Sequence, residues 1–204
     1  MNVLPDKTGD PSLKDLLTGR LAAGISPAPF LEPVHRLDRP ASGIVLFAKT
    51  PAAAEQFGLL FRERKIKKIY WAITVDSPPK QTDTLIHFID TNKSKNKSYV
   101  AESTGKKAEL NYTVIGKSDR YTFLEIRLVT GRHHQIRTQL AAIGAMIKGD
   151  IKYGARRKNH DRSIHLHARL LEFCHPSTGT IVKITAAPPK DVLWQLMEKT
   201  ILHA

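Results

Sequence analysis

The chain reads as an α+β domain, with a mixed, mainly antiparallel central sheet and flanking helices. Three observations predict this. Strand-like runs outnumber helical ones. Short polar turns join them as in hairpins, for example Gly116-Lys117-Ser118-Asp119 between Ala108–Ile115 and Tyr121–Val129. A length of 204 residues with a hydrophobic fraction of 41% suits one domain with a full core. No internal repeat or interdomain linker is visible, so residues 1–204 are expected to form a single domain.

Each element has its own signal. Asp10-Pro11-Ser12 offers a helix cap, and Leu13, Leu16, Leu17 and Leu21 give the helix an apolar face. A loop rich in Pro, Gly and Ala runs from Ala23 to Pro33. Gly43–Ala48 reads as a buried strand. Thr50-Pro51 starts a helix through Phe57, Leu60 and Phe61. Tyr70–Val75 is a strand that Ser77-Pro78-Pro79 ends. Leu85–Ile89 and Lys97–Ala101 pair around a polar loop, with Lys93, Lys95 and Lys97 alternating on one strand face. From His133 to Ile143 the spacing of Ile136, Leu140 and Ile143 is helical, and Gly144 is the stop. Ile164–Phe173 and Thr180–Thr185 are late strands around a His-Pro-Ser-Thr-Gly turn. Pro188-Pro189 leads into a last helix carrying Leu193, Trp194, Leu196, Met197 and Ile201.

Charge narrows the function. The formal net charge is +13, which points to a polyanion, with nucleic acid ahead of membrane. No apolar run approaches the ~18 residues of a membrane span. The start, Met1-Asn2-Val3-Leu4-Pro5-Asp6, is too poor in apolar residues for a signal peptide. The lone Cys174 forms no intrachain disulfide, fits a reducing compartment, and is expected as a small core residue. The cations cluster: Arg62, Arg64, Lys65, Lys67 and Lys68 are close neighbours.

Three blocks carry the chemistry. The first is Val34–Ala48, VHRLDRPASGIVLFA, in which Asp38 sits between Arg36 and Arg39. Two cations beside an acid favour its charged form. Such an aspartate serves as an electrostatic lock or as a nucleophile, and the plainer alternative is a structural Arg–Asp pair. The second is Thr130-Gly131-Arg132-His133-His134-Gln135-Ile136-Arg137, continuing to Gly149-Asp150 and Tyr153-Gly154. The third is Leu166–Pro176, LHARLLEFCHP. His165, His167, Cys174 and His175 invite a zinc reading, but their spacing fits no structural zinc pattern, so no metal is expected. His133-His134 reads as turn hydrogen bonding near the site. No GxxxxGK[ST] or GxGxxG string occurs.

In order and spacing these blocks, with Lys68-Ile69-Tyr70, resemble the RluA-type RNA pseudouridine synthase family, with its HRLDxxTSG, KxY, TGRxHQIR and LHA..L.F.HP patterns. The likeness runs from about Val34 to Pro189. It implies the pseudouridine synthase fold and the isomerisation of uridines in ribosomal or transfer RNA. It implies that Asp38 is the catalytic aspartate and that Arg137 pairs with it, where a two-pronged guanidinium grip would orient the carboxylate. It implies that Tyr70 is the active-site tyrosine, stacking on the uracil and helping remove its C5 proton. Arg36 matches a residue that fills the space left by the flipped base. Arg64, Lys65 and Lys67 are the expected phosphate contacts.

A side-chain nucleophile in an isomerisation needs no cofactor. The partner is RNA rather than a membrane, the compartment is the cytoplasm, and the chain is expected to act as a monomer. The chain departs from the pattern at Ala41 (usually Thr), Gln139 (usually His) and Met146 (commonly Pro). It also lacks the Lys-Pro-x-Gly turn and the small N-terminal RNA-binding domain of many relatives, so the start reads as shortened. Two rivals remain. A non-catalytic RNA-binding protein or chaperone on the same scaffold would not need Asp38, Tyr70 and Arg137 together. A base-processing glycosidase would need a second carboxylate as general acid.

Overall fold

The computed structural model describes residues 1–5, 9–23 and 29–202. Along the chain come α1 (Leu13–Leu21), β1 (Glu32–Pro33), β2 (Ser42–Gly43), β3 (Phe47–Ala48), α2 (Pro51–Arg62), β4 (Lys67–Thr74) and β5 (Thr82–Asn92). There follow β6 (Lys97–Ala101), β7 (Lys106–Lys117), β8 (Thr122–Leu128), α3 (Gln135–Ala142), a 3-10 turn (Ile151–Tyr153), β9 (Leu166–Cys174), β10 (Ile181–Thr185) and α4 (Val192–Leu202). The main sheet runs β10-β9-β4-β8-β7-β5-β6. Every pairing along this path is antiparallel. β2 adds a short parallel contact to β9. The expected α+β architecture is the observed one.

β4 lies where both faces of the sheet are covered, so its sequence shows no clean alternation. Tyr70 and Ala72 join Leu110, Leu124 and Ile126 in a core that Ile136 and Leu140 of α3 close. Trp71 and Ile73 face the other way, against Phe123 and against Trp194 and Met197 of α4. A third cluster, Ile44, Ile66, Leu171 and Phe173, packs under Phe57, Leu60 and Phe61 of α2.

Several expectations change. Gly43–Ala48 is not one strand: Ile44, Val45 and Leu46 fall between β2 and β3. Gly43 has φ +120, and a Cβ there would lie 2.4 Å from the Ala168 carbonyl oxygen. The chain turns at that close approach. It leaves β9 and pairs Phe47 and Ala48 with β1, and Ile44 remains a buried residue outside any strand. The capping box of α1 forms as expected, with Ser12 and Asp15 bonded reciprocally. Its apolar face is not buried, however: Leu16 is 52% and Leu21 41% exposed. The helix is tied to the preceding chain by Leu13 N–H to Asn2 O and Lys14 N–H to Val3 O, and does not lie on the sheet. Part of the Ala23–Pro33 loop, residues 24–28, lies outside the described residues. Lys93 and Lys95 sit in the turn between β5 and β6, so only Lys97 lies on a strand. Cys174 is exposed at the end of β9, not in the core. Among the described residues no helix is long and apolar enough to cross a membrane.

Gly43→Ala combines a strained φ with a backbone clash. It should cost about 1–3 kcal/mol, lowering the thermal midpoint by roughly 2–12 °C. An unchanged melting curve would show that the β2–β9 approach is not tight.

Candidate active site

The loop between β1 and β2 carries Asp38 and closes with Ala41 N–H donating to Asp38 O, 2.9 Å. Ala41, without a hydroxyl, packs with Leu37 against the main core. Across the cleft, the segment before α3 is locked by Gln135, whose Oε1 accepts from Thr130 Oγ1 (2.7 Å) and Arg132 N–H (2.9 Å). Gln139 is fully buried; its amide nitrogen reaches Leu85 O at 3.0 Å, and its Oε1 accepts from Gln135 at 2.9 Å. A buried amide thus ties α3 to β5 at the position where the resemblance leads one to expect histidine. α3 starts at Gln135, two residues later than the periodicity suggests, because His134 has φ 51.

These supports aim Arg137 at two carboxylates. Its Nε and NH2 donate to Asp150 Oδ2 (2.7 Å) and Oδ1 (2.8 Å), and its NH1 donates to Asp38 Oδ2 at 3.1 Å. The two-pronged grip expected on Asp38 therefore falls on Asp150, and Asp38 receives a single bond. The reason is placement: Asp150 is 2% exposed and lies beside the guanidinium, whereas Asp38 stands at the cleft. Burial opposes the Arg137 charge, but the Asp150 and Asp38 contacts outweigh it and hold the group above its ordinary value. The face of Arg137 rests on the Tyr153 ring, 4.9 Å from its centroid. Asp150 is positioned by Gly149, φ +89, where a Cβ would lie 2.7 Å from Ser163 O.

Asp38, Tyr70, Arg137 and Arg36 all line one cleft of about 620 Å³. Tyr70 follows a register shift between Ile69 and Tyr70 in the β4–β9 ladder. Burial, and then the Asp38 charge, hold its phenol above the ordinary value. The two arginines flanking Asp38 in sequence part company: Arg36 lines the cleft, while Arg39 pairs with Asp10 at 2.6 Å. The predicted basic cluster also divides. Arg62, Arg64 and Lys68 line the cleft. Lys65 pairs with Glu63 at 2.7 Å and Lys67 lies 3.9 Å from Glu172, both outside it. Burial, and then Arg64, lower Lys68 to about 8. Burial likewise lowers His35 to about 4; its Nε2 accepts from Leu46 N–H at 3.0 Å. His165 stacks on Trp194 with ring centroids 5.3 Å apart, and His167 meets the same ring tilted at 6.0 Å. Among the described residues no group of His, Cys, Asp and Glu is placed to hold a metal ion.

A family model described as RNA pseudouridylate synthase matches residues 17–142. The chain belongs to this RNA pseudouridylate synthase family. It is 34% identical over 174 residues to an uncharacterized RNA pseudouridine synthase of Chloroflexus aurantiacus, covering 83% of this chain and 55% of that protein. To ribosomal large subunit pseudouridine synthase D of Zymomonas mobilis it is 32% identical, covering 83% and 56%. To tRNA pseudouridine synthase C of Haemophilus ducreyi it is 33% identical, covering 81% and 74%. The chain thus spans a little over half the length of the first two. Human RNA pseudouridylate synthase domain containing 4 shares the fold, with a TM-score of 0.77 at 22% identity over 99% of this chain and 86% of that one.

For this family member, sequence reasoning missed Asp150, Tyr153, His134 and Ser98 as parts of one network. Gly149-Asp150 and Tyr153-Gly154 stood within a recognised pattern, but nothing local reveals that Asp150 faces Arg137. Removing the buried partner should be the costlier change. Asp150→Ala should lose about 3–5 kcal/mol by leaving a buried guanidinium uncompensated, and Asp38→Ala much less. Urea unfolding of the two variants checks this, and equal losses would contradict the unequal sharing of Arg137.

Proposed function

We propose that this chain is an RNA pseudouridine synthase that isomerises specific uridines of ribosomal or transfer RNA, with Asp38 as the nucleophile acting on a flipped-out nucleotide. The observation that carries the reading is the Asp38–Arg137 contact of 3.1 Å, made between residues 99 apart in sequence and lining a cation-rimmed cleft with Tyr70. Family membership and the net charge of +13 support the RNA substrate. The reaction breaks the bond from C1′ to N1, forms one from C1′ to C5, and moves a proton from C5 to N1. Atoms and electrons balance without oxidant, reductant or cofactor.

The geometry suits the parts. Asp38 Oδ2 takes the Arg137 bond, and Oδ1 takes none from the described residues. Tyr70 stays protonated in the resting site, which favours stacking on the uracil over immediate proton abstraction. Arg36, exposed at the cleft, is free to occupy the gap left by the flipped base. The glycosidase rival is weakened, because the second carboxylate, Asp150, is buried and held by two bonds from Arg137. The reading includes a monomer working in the cytoplasm.

Asp38→Asn should leave RNA affinity within about threefold of the parent and abolish pseudouridine formation, since the amide keeps the shape and loses the nucleophile. Filter binding gives the affinity, and mapping of ribosomal and transfer RNA after carbodiimide labelling, which marks pseudouridine despite its equal mass to uridine, gives the modification in a deletion strain complemented with each form. Turnover by the variant within about tenfold of the parent would sink the assignment.

The divided cation cluster separates RNA contacts from ordinary surface charge. Each phosphate contact contributes about 0.7–0.9 to the slope of log affinity against log salt. Arg64→Gln and Lys68→Met should each lower the slope by about one contact, and Lys65→Gln should not. A change with Lys65→Gln equal to that with Lys68→Met would move the RNA path off the cleft rim.

A further inference from the structure

We propose that His134 is a positioning residue for Asp38: an imidazole held in its Nε2–H form between the Tyr153 hydroxyl and the Asp38 carboxylate, which shares Oδ2 with Arg137 and leaves Oδ1 to react. The inference rests on the synthase reading above.

The argument begins with a strained backbone. His134 precedes α3 in the left-handed region, with φ 51, and its side chain makes no helix cap. Such a conformation costs about 1–3 kcal/mol in a non-glycine residue and persists where its surroundings enforce it. The surroundings here are specific. The His134 ring stacks on His133 with centroids 3.7 Å apart and meets the Tyr153 ring edge-on at 5.6 Å. His133 is itself anchored through Nδ1 to Ser98 Oγ at 2.9 Å.

Donor arithmetic then sets the tautomer. The Ser98 backbone N–H donates to the Tyr153 hydroxyl oxygen at 2.9 Å. The same oxygen lies 2.8 Å from His134 Nδ1. The Tyr153 oxygen also meets Thr138 and can accept twice, so the other ring nitrogen decides: Nε2 faces the Asp38 carboxylate, which only accepts, and a hydrogen on Nε2 leaves Nδ1 to take the Tyr153 hydroxyl hydrogen. Nδ1 therefore accepts, and the ring hydrogen sits on Nε2. Burial, then Arg137, His133, Lys152 and Arg36, push the ring far below its ordinary pKa, so the second nitrogen does not take a proton. Nε2 lies 3.8 Å from Asp38 Oδ2. The contact is thus a neutral N–H facing a carboxylate, not an ion pair. The gap is about 0.8 Å longer than a hydrogen bond, a distance that substrate binding commonly closes.

The consequence is selective. Arg137 NH1 and His134 Nε2–H both address Oδ2. A second full cation at that place would deepen the stabilisation of the negative charge and blunt its nucleophilicity. A neutral N–H orients the group at a smaller cost.

Two measurements decide. Nitrogen-15 NMR of the full, unmodified chain should find His134 with an unprotonated Nδ1 and a protonated Nε2 between pH 6 and 8. A Nδ1–H ring would overturn the proposal, whatever the chain does to RNA. In turnover, His134→Gln keeps an N–H donor where Nε2 lies and loses the ring, whereas His134→Phe keeps the ring and loses the donor. At saturating RNA, Gln should hold kcat within about fivefold and Phe should lose about thirtyfold or more, with RNA Kd within about threefold in both. The reverse order would mean that the ring only packs, and would overturn the proposal. Absence of product from the unchanged protein would instead defeat the synthase reading, and the NMR result would still stand or fall separately.

Discussion

A guanidinium almost wholly withdrawn from water governs the site. Arg137 is 4% exposed, and an unpaired cation at that depth would be prohibitive. Asp150 answers it with two short bonds and Asp38 with one longer bond. The pairing of Arg137 with Asp150 is close to a closed unit, being neutral, bidentate and buried. Asp38 is the remaining carboxylate, half tethered at the cleft. One cation thus serves two anions unequally. The inequality lets a structural ion pair and a cleft-facing carboxylate share the same donor. Three separate stretches of chain must be correctly placed for this to hold: the β1–β2 loop, α3, and the turn after Gly149.

Polar side chains do the placing. Gln135 and Gln139 bond to one another and to backbone oxygens of β5 and β7, so α3 is registered against the sheet by amides as well as by Ile136 and Leu140. Ser98 extends the same frame from β6, holding Tyr153 through its backbone and His133 through its hydroxyl. The outer hairpin of the sheet thereby reaches the site without lining the cleft. Gln135, Gln139, Ser98 and Tyr153 are each bonded, and such satisfied networks specify one arrangement of the interior.

Much of this was legible beforehand, for definable reasons. Hairpins with polar turns and helices with caps announce themselves locally, so β5 to β8, α2 and α4 lie near their expected places. Failures came where a distant segment decides. Gly43–Ala48 has strand residues, but Gly43 must turn against Ala168, a contact that no local pattern encodes. The leucines of α1 have helical spacing, yet Leu16 and Leu21 stay exposed because that helix is held by its first turn and not by the sheet. That Asp38, Tyr70 and Arg137 share one cleft was legible from their distinctive motifs. Their true pairing was not, because the choice between Asp38 and Asp150 depends on depth, which sequence does not express.

Charge follows the same logic. A net charge of +13 suggests a polyanionic partner but gives no address. Neighbours in sequence have opposite fates: Lys65 and Lys67 lean toward Glu63 and Glu172, while Lys68, between them and Tyr70, faces the cleft with its ammonium weakened by burial and by Arg64. Alternation along β4 accounts for this split, since Lys68 and Tyr70 share a face and Lys67 points to the other. A half-buried cation without a counter-ion among the described residues is destabilising in the free protein, and an anion entering the cleft relieves it. The same alternation that sends Tyr70 toward Asp38 therefore sets a waiting positive charge one step along the strand, lining the same cleft.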